Sequence, residues 1–85
     1  MDIEFIGPVV NAPDGGVSYL VLVDGETVAC RVSMEALQDI APGRRQDDPI
    51  SQFNSHSPIL LSIAEQKIRN GNIEDNVVWV FTGDL

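Results

Sequence analysis

A single cysteine, a single histidine and five basic side chains are all that this chain of 85 residues contains of those types. Each shortage removes a class of chemistry. With Cys30 alone, no disulfide closes within the chain and no cysteine-based zinc site assembles from it, so the expected setting is a reducing cytoplasm. Five Lys and Arg against thirteen Asp and Glu leave a formal net charge of −8, which opposes approach to a phosphate backbone or an anionic membrane. The adjacent pair Arg44 and Arg45 is followed by Asp47 and Asp48, so even there the local charge nearly cancels. Long apolar runs are missing too, as is a basic-then-apolar opening, and neither a membrane span nor a secretory signal is expected. The turn segments Asp14-Gly15-Gly16 and Asp24-Gly25-Glu26 lack the spacing and the Lys-Ser or Lys-Thr of a phosphate loop. Asp47, Asp48, Glu74 and Asp75 lack the spacing of a calcium loop, so no metal, cofactor or small molecule is inferred.

What remains is the composition of an ordinary globular chain, 44% hydrophobic and 21% charged. A chain of this size buries about 60–65% of the surface its unfolded form exposes, enough for a single domain over 1–85. The clearest local signal is Asp24-Gly25, which suits the positive φ angles of a type I′ hairpin turn. Such a turn sets Val23 opposite Glu26, Val21 opposite Val28, Tyr19 opposite Cys30 and Val17 opposite Val32. One face of the hairpin is then apolar throughout, and the other carries Ser18, Leu20, Leu22, Thr27, Ala29 and Arg31. Upstream, Ile3, Phe5, Val9 and Val10 suggest a first strand interrupted at Gly7-Pro8.

Ser33 has the chemistry of an N-cap, and a short helix from Met34 to Ile40 follows, with Met34, Leu37 and Ile40 as its apolar stripe. Asp48 and Pro49 start a second helical region that runs to Asn70, where Gly71 supplies a left-handed stop. Its apolar face is Ile50, Phe53, Leu60, Leu61, Ala64 and Ile68. Pro58 within it would cost about 3 kcal/mol in an unbroken helix, so two segments meeting near Ser55 to Ser57, or a kink, are expected. Val77 to Thr82 reads as a last strand, apolar on both sides and therefore central or covered twice. The fold class is α+β: an antiparallel sheet of about four strands in the order β-β-β-α-α-β, with the helices packed on one face.

In order and spacing these residues resemble the small bacterial family of unknown function numbered 1488. The likeness is carried by Ile3-x-Phe5, by Asp24-Gly25-x-x-Val28-x-Cys30-x-Val32-Ser33-x-Glu35-Ala36-Leu37, by Phe53 with Leu60 and Ala64, by Lys67-x-x-x-Gly71 and by Thr82-Gly83-Asp84-Leu85. The resemblance implies an α+β fold and brings no established activity. The chain departs from it at Ser57, where arginine is expected, and at Pro58, where the helix is expected to continue.

Three functional classes are weighed. Leu20, Leu22 and one side of the last strand, with Trp79, would leave an apolar area on the helix-free face of the sheet, which predicts a non-enzymatic interaction module with a homodimer or another protein as partner. The alternative is a regulatory binder of nucleic acid or of a DNA-associated protein, using Arg44, Arg45, Lys67 and Arg69 as a local cationic strip. The third is a small enzyme around His56, whose imidazole titrates near neutrality. No acid stands three or four residues from His56 to orient its ring, so a capping or solvated histidine is the expected role and no catalytic residue is assigned. Cys30 falls on the apolar face of the hairpin beside Tyr19 and is expected to be inert filler.

Overall fold

A computed structural model describes residues 2–13, 15–40 and 48–85. The hairpin organises the rest. Strands β3 (Val17–Val23) and β4 (Glu26–Val32) meet at Asp24 and Gly25, whose φ angles of 50° and 87° are those the turn requires. The pairing is the expected one, Val23 with Glu26, Val21 with Val28, Tyr19 with Cys30 and Val17 with Val32. Upstream there are two short strands where one interrupted strand is expected. Strands β1 (Ile3–Phe5) and β2 (Val10–Asn11) flank a cis Gly7-Pro8 bond, and both pair antiparallel with β3. At the start of β3, a Cβ on Gly16 would collide with the Val32 carbonyl, so the backbone there passes where no other residue fits.

Helix α1 (Met34–Ile40) begins where Ser33 Oγ accepts from Ala36 N–H at 3.1 Å. Its buried residues are Ala36 and Leu37, with Ile40 packed at the margin, while Met34 is 42% exposed. The stripe is thus 36, 37 and 40, an i, i+1, i+4 set turned away from the first residue of the helix. The pair Pro42-Gly43, which has the chemistry of a helix stop, lies with Arg44, Arg45 and Asp47 outside the described residues.

Helix α2 (Pro49–Ser55) starts on Asp48, whose Oδ1 accepts from Ser51 N–H at 3.0 Å and whose Oδ2 accepts from Ser51 Oγ at 2.9 Å. Those two bonds hold the Asp48 carboxyl below the usual carboxylate range. Helix α3 (Ser57–Arg69) follows after His56 alone, so Pro58 falls in a first turn, where its missing N–H breaks no helical bond. Asn70 caps α3, and Gly71, at φ 80°, turns the chain away.

Strand β5 (Val77–Val80) completes a five-stranded sheet in the order β1-β3-β4-β5, with β2 beside β1 on β3. It pairs parallel to β4, the one parallel junction in an otherwise antiparallel sheet, and the three helices form the crossover such a junction needs. Its place corrects the expectation of a central or doubly covered strand, because β5 is an edge. Val78 and Val80 are fully buried beneath the helices, whereas Val77 and Trp79 on the other side are half-buried. The core is formed by Val17, Tyr19, Val21, Val28, Cys30 and Val32 against Leu37, Phe53, Leu60, Ala64 and Ile68. Helices α1, α2 and α3 therefore lie on one face of the sheet.

Candidate interface on the open sheet face

The opposite face follows from the register. Cross-strand partners share a face, so Glu4, Leu22 and Thr27 form one row, Leu20, Ala29 and Val77 the next, and Ser18, Arg31 and Trp79 the third. The structure thus brings the three expected contact residues onto one surface. Leu20 is 41% exposed, and Leu22 and Trp79 are half-buried with no helix above them.

Trp79 is not a bare indole. Its ring stacks on Phe81 with centroids 5.3 Å apart and planes 3° from parallel, and the Arg31 guanidinium lies over it at 5.5 Å. Lys67 reaches from α3 to the far side, with Nζ 5.9 Å from the centre of the Phe81 ring. Arg31, Trp79, Phe81 and Lys67 form a ladder of two cations around two rings. Trp79 and Phe81 are legible in the sequence as i, i+2 neighbours on one side of an extended segment, but Arg31 joins them only through the parallel pairing of β4 and β5. The Arg31 Nε is buried and has no hydrogen-bond acceptor among the described residues.

Lys67 also donates to the Trp79 carbonyl at 2.6 Å and to Asp84 Oδ2 at 2.8 Å. Asp84 Oδ2 accepts in addition from Phe81 N–H at 2.8 Å, which starts the short 3-10 turn Thr82–Asp84. Lys67 first and the Phe81 amide second hold the Asp84 carboxyl below the usual range. These bonds matter for the sheet edge. The Asn76 carbonyl accepts from Ala29 N–H of β4 and the Val80 carbonyl from Ser33 N–H just beyond it, so Val77 and Trp79 turn their main chain outward. Val77 exchanges both its bonds with Glu74 across a tight turn at Asp75 and Asn76, whose φ angles are 52° and 60°, and Trp79 gives its carbonyl to Lys67. The β5 edge is largely occupied, and the face is what stays open.

The remaining candidates lie elsewhere. His56 joins α2 to α3: its N–H donates to the Phe53 carbonyl at 3.0 Å, and its own carbonyl accepts from Ile59 and Leu60 N–H at 3.1 Å each. Its Nδ1 is buried without a hydrogen-bond partner among the described residues. Neighbouring Ser55 turns its hydroxyl back to the Ser51 carbonyl at 3.0 Å. Of the four residues of the cationic strip, Lys67 is engaged by Asp84 and Arg69 by Glu65 at 3.0 Å. Cys30 is fully buried, and burial pushes its thiol up to about 11, offset in part by the Tyr19 hydroxyl. Burial likewise raises the Tyr19 phenol, Cys30 adding to it, although no well-aligned hydrogen bond joins them. Among the described residues no group of three His, Cys, Asp or Glu converges on a common point, and no helix is long and apolar enough to cross a membrane.

Comparison with known proteins meets this fold from two directions. A search of curated proteins gives no match. Among solved structures, the chain is similar to the crystal structure of a protein of unknown function from the DUF1488 family of Shewanella loihica PV-4, with a TM-score of 0.80 at 15% identity over 92% of this chain and 90% of that one. The family model described as "Protein of unknown function (DUF1488)" matches residues 3–80, which takes in the hairpin, the capped helices and the last strand alike. With its sequence pattern and its fold both pointing there, the chain belongs to the DUF1488 family.

Proposed function

We propose that the protein is a non-enzymatic interaction module that associates with a second copy of itself through the open face of its sheet. The observation that carries this reading is the uncovered surface formed by Leu20, Leu22, Val77 and Trp79 on the side away from every helix. Apolar area of this kind is favourable to bury, at about 25 cal/mol per Å². A two-fold pairing suits the charges as well. Arg31 stands on the inner strand β4 and Glu4 on the edge strand β1, and a two-fold that brings them together presents a carboxylate to an arginine whose Nε has no acceptor among the described residues. Tryptophan flanked by arginine is the pairing that interface hot spots favour.

Light scattering over a concentration series tests the reading. The unaltered chain should rise from monomer toward dimer mass, and Leu20→Asp should hold it at monomer mass with an unchanged far-ultraviolet spectrum, because Leu20 is outside the core. A strict monomer at every concentration, up to about 1 mM, would remove self-association as a reading.

A further inference from the structure

A second surface lies at the other end of the sheet. Strand β1 pairs with β3 and, among the described residues, with no strand on its outer side. The Asp2 carbonyl accepts from Asp24 N–H at 2.8 Å and Ile6 N–H donates to the Leu20 carbonyl at 3.0 Å. By the alternation of an antiparallel ladder, residues 2, 4 and 6 turn their main chain toward β3, and the N–H and C=O groups of Ile3 and Phe5 point away from the sheet. Beside this edge runs a groove of about 290 Å³ between β1 and α3, lined chiefly by Ile3, Phe5, Tyr19, Val21, Pro58 and Leu61. The helices stop short of covering it: Phe5 is 47% exposed while Val21, its partner on β3, is 4% exposed. An unpaired edge and an apolar trough thus coincide.

We infer that this edge receives an extended segment of another protein as an added strand, one whose residues alternate apolar and basic. The alternation follows from the two sides of β1. Side chains of an added strand that fall beside Ile3 and Phe5 enter the apolar groove, and those on the opposite side fall beside Asp2 and Glu4, both exposed acids. Main-chain bonds to Ile3 and Phe5 hold the strand, the groove selects its apolar residues, and Asp2 and Glu4 select basic ones. A second copy of this chain is the wrong occupant. Antiparallel pairing of β1 with β1 about Ile3 or Glu4 sets Glu4 against Asp2 or against another Glu4, and pairing about Phe5 sets it against the apolar Ile6. The site shares Glu4 with the open sheet face, but its groove and its outward main-chain groups lie outside that face, so neither reading depends on the other.

The full chain, labelled with nitrogen-15, would be titrated with an end-blocked nonapeptide alternating lysine and valine. Two controls accompany it: the same peptide N-methylated at alternate amides, in both phases of the alternation, and one with aspartate in place of lysine. Saturable amide shifts at Ile3, Phe5 and the Ile59 to Ser62 turn are expected, with about tenfold weaker binding or more for whichever N-methylated phase faces the edge and for the aspartate peptide. Glu4→Lys, a change at an exposed position, should reverse the preference between lysine and aspartate peptides. Equal affinity for all N-methylated forms, shifts confined to Leu20 and Trp79, or no saturable shift would overturn the inference.

Discussion

Lys67 ties three pieces of chain together with one ammonium group: α3 that carries it, the Trp79 carbonyl on β5, and Asp84 in the closing turn. In the sequence these residues belong to two separate segments, and nothing in their spacing says that they meet. Because the folded Asp84 carboxyl sits below its unfolded value, its contribution to stability is present above about pH 3.9 and is lost as pH falls through the lower folded value. The pair is partly exposed, so Asp84→Asn should cost about 0.5–1 kcal/mol near neutral pH and almost nothing near pH 2, which urea titrations at the two pH values measure. A loss that persisted undiminished in acid would show that the ion pair is not its source. Cys30 allows a second check. Its raised pKa and full burial predict slow reaction with a thiol reagent at pH 8 and rapid reaction in denaturant. Rapid modification of the native chain would place the thiol outside the core.

At the scale of elements, the hairpin was legible because two independent signals agree on it. Asp24-Gly25 requires one pairing, and the alternation of valines requires the same one. Val28→Ala should therefore cost about 2 kcal/mol, measured by denaturant unfolding. The helices were legible through their ends, since Ser33, Asp48 and Gly71 each act as their chemistry suggests. Pro58 is a sharper case. In an unbroken helix its replacement by alanine would stabilise by about 3 kcal/mol, but at the start of α3 the change in unfolding free energy should stay within about 1 kcal/mol. The position of β5 was not legible. Its two apolar sides suggested double coverage, whereas the outer side is occupied by a ring stack whose members come from two strands and a turn. The turn at Asp75 and Asn76 was readable in principle, because both residue types tolerate positive φ.

Across the whole molecule, the sheet divides two kinds of surface. One face is roofed by α1, α2 and α3 around a continuous core, and the other carries rows of mixed side chains without a roof. The groove by β1 could not be foreseen from sequence, since it depends on how far α3 reaches across the sheet. The open face could be, because the hairpin register alone puts Leu20 and Leu22 opposite the valines. The central claim is that this face meets its own copy. It is tested most directly by isotope-filtered NMR on an equal mixture of labelled and unlabelled chain, reading contacts between molecules at the Trp79 indole. Cross-peaks from that ring to Leu20 or Leu22 methyls of the other copy are predicted, and intermolecular peaks that arise solely from helix residues such as Ile59, or none at all at millimolar concentration, would contradict it.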